Sequence, residues 1–164
     1  MTLEQYYFIG ELVGAGALII SLVYVGVQVK LGTKATKAGA AQSFVDTNNG
    51  FVGLINQSPT LADILFRGSQ GMANLHAGET IQFSAFHDCC FISFESYYFM
   101  SQEGVLDERL WDTYTHALVD LLHQKGMQEW WQARSHWFSK DFVEHVDRLR
   151  DDVASKPMHF RAEG

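Results

Sequence analysis

The sequence predicts an all-α protein, an N-terminal transmembrane helix followed by a soluble helical bundle. Three observations lead there. Residues 12–29 carry no formally charged side chain. Beyond them, apolar residues recur at three- and four-residue spacing in segments bounded by capping residues, and the 164-residue chain has only 2 prolines. No stretch alternates apolar and polar residues between turn signals, as a half-buried strand would.

The first element is FIGELVGAGALIISLVYVGVQVK, residues 8–30. As a helix, residues 12–29 rise about 27 Å, close to the hydrocarbon thickness of a bilayer. Tyr6, Tyr7 and Phe8 stand where an interfacial aromatic belt would lie. A secretion signal opens on basic residues, whereas Glu4 and Glu11 stand here. The small-residue stretch AGAA at 38–41 is too far downstream to be its cleavage site. A buried core helix would be shorter or amphipathic. Lys30, Lys34 and Lys37 follow the apolar run, which predicts an outside N-terminus and a cytoplasmic bundle. The expected division is a transmembrane helix with a short outside terminus over 1–32, a bundle over 33–154 and a polar tail over 155–164.

On a helical wheel Gly10, Gly14, Ser21 and Gln28 fall within about 40° of one another. Glu11 borders that stripe and Ala17 continues it. Lipid offers nothing to Glu11 or Gln28, whereas a second helix offers close backbone contact and hydrogen bonds. The six residues are therefore the expected helix-association face.

The remaining elements follow in order. LGTKATKAGAAQSFVDTNNGFVGLINQ reads as helix, with a break at the NNG of residues 48–50. SPTLADILFRG is a short helix capped by Ser58, with Pro59 at its first position and Gly68 at its end. Residues 70–78 read as loop. ETIQFSAFHDCCFISFESYYFMSQEG is the central core helix. Phe83, Phe86, Cys90, Phe94 and Tyr97 recur on it at helical spacing, and Gly104 stops it. LDERLWDTYTHALVDLLHQKG is capped by Asp107 and ended by Gly126. MQEWWQARSHWF and SKDFVEHVDRLRDDV, the latter capped by Ser139, complete the bundle.

Three of these stretches carry a resemblance: FIGELVGAGALIISLVYVGVQVK, FESYYFMSQEGVLDERLW and WWQARSHWFSKDFVEHVDRL. The chain resembles a family of short bacterial membrane-anchored proteins of unknown function. Members share an apolar N-terminal helix of the ELIGAIAVVISLIYVGIQ type, a central FE…Y…G.LD…W element and a terminal WW…R..F...F…V element. The similarity covers nearly the whole chain. It implies a bacterial inner-membrane anchor and a helical bundle, and brings no activity with it. GAGA at 14–17 departs from that pattern, which has bulkier residues there and so less room for a close helix contact.

The chemistry legible in the sequence is sparse. A formal charge of −7 and a pI near 5.4 repel phosphates, so nucleic acid is not an expected partner. The expected partners are the bilayer and, through the span, a second copy or another membrane protein. Cys89 and Cys90 are adjacent, a spacing that strains a disulfide, and both are expected to be buried small hydrophobes.

No phosphate loop, nucleophile elbow or HExxH occurs; no cofactor is expected, and no motif identifies a catalytic residue. Asp112, His116, Asp120 and His123 form a stripe with metal-ligand residue types. Leu110, Tyr114, Ala117, Leu118 and Leu121 occupy the opposite face, so the stripe is expected to be solvated surface. His87, Asp88 and Glu95 interrupt the most apolar helix and are the buried polar candidates. Arg67 or Arg109 is the expected partner for the carboxylates.

The function expected is association or oligomerisation of a membrane-anchored bundle. The alternatives are a membrane-tethered metal protein or enzyme using the Asp/His stripe or the Glu95 region, and an oligomeric channel with rings of Glu11 and Gln28.

Overall fold

A computed structural model describes residues 2–153, without the side chains of residues 5, 6, 9, 152 and 153. The polar tail expected over 155–164 and the side chain of Tyr6 in the aromatic belt lie outside the described residues. The described residues are all-helical and contain no strand. The order is α1 (Leu3–Gln57), α2 (Pro59–Ser69), a 3₁₀ turn (Met72–Asn74), α3 (Ala77–Gln102), α4 (Glu108–Leu122), α5 (Lys125–Arg134), a second 3₁₀ turn (Ser135–Trp137) and α6 (Lys140–Val153). Contacts divide the chain into two compact units that meet between Gly39 and Ala40.

The first unit is the N-terminal part of α1. Its apolar stretch is long enough to cross a bilayer, and none of it is buried. The large side chains of residues 12–31 are from 51% (Val27) to 72% (Ile20) exposed, on every side of the helix.

The second unit, from Ala40, is the bundle. The break expected at residues 48–50 is absent, because α1 stays helical to Gln57. A helical Gly costs only about 1 kcal/mol relative to Ala. Phe44 and Phe51, on one face and about two turns apart, pack on α3 and α4 and outweigh that local preference.

Ser58 caps α2 as expected: its hydroxyl accepts the Leu61 N–H at 3.2 Å. Two helix ends expected at glycines lie elsewhere. Gly68 is buried inside α2, where a methyl would collide with the Phe83 ring. The chain turns instead at Gly71, with φ of +146°. Gly126 does not end α4, which stops at Leu122; it lies in the first turn of α5, and a methyl there would overlap the Gly68 carbonyl oxygen. Gly126 serves the close approach of α5 to the α2 backbone, and Gly68 makes room for the Phe83 ring of α3, long-range requirements that local sequence does not announce. Gly104 does end α3 as expected. Its φ is +66°, and Val105 N–H closes on Met100 O at 2.9 Å while Gly104 N–H closes on Ser101 O at 3.0 Å.

The core is aromatic. Phe83, Phe91, Trp130 and Phe142 are 0% exposed and Trp131 only 1%. Phe91 lies against both indoles, 4.8 Å from the Trp130 ring and 5.1 Å from the Trp131 ring. Trp131 stacks on Phe138 at 5.5 Å, and its indole N–H donates to Asp147 at 3.0 Å. These indoles fill the interior rather than lining a pocket. Trp137 is the exception: it is exposed, with the Arg134 guanidinium 4.3 Å over its ring.

Candidate functional site

The six residues of the expected association face all lie on the helical first unit, and all are exposed. At Gly10 and Gly14 an added Cβ would meet nothing within 4 Å. Their small size therefore serves no packing inside this chain. The same holds at Gly26, on another side of the helix.

The three polar residues of α3 have separate fates. His87 is 4% exposed and lies among the rings of Phe83, Phe86 and Trp130. Its Nδ1 is 2.8 Å from the Phe83 carbonyl, which only accepts, so the ring is the Nδ1–H tautomer. Burial pulls its pKa down to about 4. Asp88 has a buried Oδ1 without a hydrogen-bond partner among the described residues. Burial raises its pKa, and Arg134 partly opposes the rise.

Neither arginine expected to pair with these carboxylates does so. Arg67 forms a fork with Glu79, at 2.6 and 3.0 Å, and also bonds Asp63 at 2.8 Å. Arg109 folds onto Asp107, the neighbouring helix cap, at 2.9 Å. Asp63 and Asp107 are local partners, four and two residues away, whereas Glu79 is brought to Arg67 by the turn between α2 and α3.

Glu95 instead accepts the Ser139 backbone N–H at 2.7 Å. That N–H is one of the donors left open at the start of α6. Ser139 was expected to cap α6 with its own side chain, yet its hydroxyl is buried and without a partner among the described residues. A carboxylate from α3 supplies the acceptor from across the bundle. Glu95→Ala is therefore expected to destabilise the bundle by about 1–2 kcal/mol, the scale of a lost helix cap. A buried arginine left unpaired would instead cost about 3–5 kcal/mol. Chemical denaturation followed by tryptophan fluorescence separates the two, and a loss at the larger scale would contradict the capping role.

Asp112 and His116 of the Asp/His stripe lie on the outer side of α4, and Asp120 stands at its edge, on the rim of a cleft. Asp112, His116 and Asp120 are exposed, and His123 is half-buried with Nδ1 3.0 Å from Val119 O. Tyr114, Leu118 and Leu122 are the buried residues of that helix. Among the described residues no group of three or more His, Cys, Asp or Glu converges on a point that could hold a metal. Of the cysteines, Cys90 is buried as expected, but Cys89 is exposed. Adjacent positions on a helix point about 100° apart, so a single packed face of α3 admits only one of them.

Two arrangements escaped the sequence. Arg67 gathers Asp63, Glu79 and the Asn74 carbonyl into one network, and Glu79 also accepts the His76 N–H at 2.9 Å. The arginine holds the Glu79 carboxyl down at about 2. The i,i+4 spacing of Asp63 and Arg67 was visible, but the reach to Glu79 depends on the turn between α2 and α3. His145 lies between the rings of Tyr98, at 4.9 Å, and Trp111, at 5.5 Å. No spacing joins three residues from three helices.

Comparison with protein-family models, with characterised proteins and with solved structures finds no match for this chain.

Proposed function

We propose that the protein is a single-pass membrane protein, with an outside N-terminus and a cytoplasmic bundle, that works by association rather than catalysis. The observation that carries this is the exposure of large apolar side chains all round the helix over residues 12–31. Apolar surface of that extent in contact with water exceeds what soluble monomers present, and a bilayer covers it on every side at once. The acidic residues Glu4 and Glu11 stand before the span and Lys30, Lys34 and Lys37 after it, which favours the stated orientation. A reporter fused after Gly164 is expected to be active only if it functions in the cytoplasm. Periplasmic activity of the same fusion would overturn the topology.

The association face is Gly10, Glu11, Gly14, Ala17, Ser21 and Gln28. Lipid removes the hydrophobic drive between helices, so the gain is van der Waals packing against the small residues. Gln28 adds a hydrogen bond worth roughly 0.6–2 kcal/mol. Either a second copy or another membrane protein fits this face. Gly14→Ile keeps the span apolar and blocks close approach, so insertion should persist while cross-linking in native membranes falls. Gly26→Ile, about 140° round the helix, is the control and should leave cross-linking intact. Equal cross-linking in both variants and the parent would reduce the span to a plain anchor.

A further inference from the structure

A cleft of about 460 Å³ separates the C-terminal part of α1 from α3 and α4. All of its lining residues belong to the second unit. Two side chains create it. Phe44 packs edge-on against Tyr114, with ring centroids 5.1 Å apart, and tilted against Tyr97 at 5.4 Å. Phe51 packs edge-on against Phe86 at 5.6 Å. The Tyr97 hydroxyl fixes the helix by donating to the Ser43 carbonyl at 3.2 Å. Between the two rings the same face of α1 carries Asn48, which is too short to fill the space. The rings act as pillars, holding the α1 backbone away from its neighbours. The opening runs along about three turns of α1 and of α4.

The chemistry of the lining is one-sided. Phe94, Tyr114, Ala117 and Leu121 make an apolar wall. The two weakly acidic groups in it are held neutral: burial pushes the Cys90 thiol up to about 12 and raises the Tyr114 phenol above its ordinary range. Asn48, Thr113 and Gln124 provide uncharged donors and acceptors, Asp120 is the single carboxylate, and no Lys or Arg lines the cleft. Apolar concavities of this size with a few polar groups are the common form of small-molecule sites.

We propose that this cleft binds a single-chain amphiphile, its apolar body along the aromatic wall and an uncharged or cationic head at Asn48, Asp120 and Gln124. The elongated opening suits an extended chain better than a compact ring system. An anionic head would meet the Asp120 carboxylate with no cation to offset it. The proposal rests on the bundle alone and does not depend on whether residues 12–29 cross a bilayer.

The test uses the full chain in lipid nanodiscs, or in buffer alone should it need no lipid. The probe is dodecylamine carrying a mid-chain diazirine, with labelled peptides mapped by mass spectrometry. Label is expected on residues 44–55 and 113–124, displaced by unlabelled dodecylamine or dodecanol and not by dodecanoate. Ala117→Trp, which fills the open edge, should abolish it. Asp120→Lys, at an exposed position, should keep the fold and reverse the head preference, so that dodecanoate now competes. Three results would overturn the proposal: label confined to residues 10–29, labelling indifferent to both substitutions, or a second copy cross-linked through the cleft in place of the probe.

Discussion

Gly126→Ala is expected to destabilise the bundle by about 3 kcal/mol or more, the upper end of overpacking losses. The added methyl would overlap the Gly68 carbonyl oxygen, with Ser69 backbone close behind it at 3.3 Å. Backbone cannot step aside as a side chain can, so α5 would have to retreat from α2. That retreat would open the core beside Met127 and Trp130, both 0% exposed. Helix propensity pulls the other way, since Ala favours a helix over Gly by about 1 kcal/mol. Gly50→Ala supplies the comparison. It lies in α1 with nothing within 4 Å of its Cβ, so there the propensity acts alone and the bundle should gain about 0.5–1 kcal/mol. Denaturant midpoints of the three proteins decide the matter. Equal gains at both glycines would mean that α2 and α5 do not cross as closely as described.

Acidification from pH 6.5 to pH 4 is expected to remove about 3 kcal/mol of bundle stability through His87 alone. Its folded pKa is lowered to about 4 from an ordinary 6.5. Between those values the unfolded chain binds a proton that the folded chain refuses, so stability falls as pH falls and the loss is complete below pH 4. The cause is burial: the ring is 4% exposed and lies among aromatic side chains. Asp88 acts in the opposite sense, since a raised folded pKa favours folding as that carboxyl gains its proton. Glu79 enters later. Its stability contribution is present above the ordinary carboxylate pKa of 4.5 and is lost as pH falls toward about 2.

His87→Gln removes the titration while leaving a donor for the Phe83 carbonyl. Its unfolding free energy should be much flatter across pH 6.5 to 4 than that of the parent. The four tryptophans, Trp111, Trp130, Trp131 and Trp137, all lie outside the span, so their fluorescence follows the bundle by itself. The same slope in parent and variant would show that His87 is not the group responsible.

Much of the fold was legible in local sequence. Ser58, Pro59, Asp107 and Gly104 mark helix ends through bonds or dihedral angles that involve only their chain neighbours, and each stands where expected. The apolar periodicity of α3 likewise identified Phe83, Cys90, Phe94 and Tyr97 as core. Asp112, His116 and Asp120 are exposed and Tyr114 and Leu118 buried, as a helical wheel separates them, while His123 is half-buried and Ala117 exposed.

The errors share a different cause. Gly68 and Gly126 read as helix ends, since local chemistry assigns glycine to turns; only the packing of Phe83 against α2 and the approach of α5 to α2 give them their roles. Glu95 invited an arginine and received a backbone N–H from residue 139, a partner that no spacing identifies. The pillars Phe44 and Phe51 are, in the sequence, two apolar residues among several on that stretch, and the cleft between them exists only once α1 lies against α3 and α4. Local sequence sufficed for the helical class, for the starts of α2, α4 and α6, and for an uncharged apolar helix over residues 12–29. Those properties depend on interactions within a few residues along one helix. Packing of the helices sets which glycines permit close approach, which polar groups lose water and where an opening remains. Each of those depends on atoms far apart in sequence meeting at distances of a few ångströms.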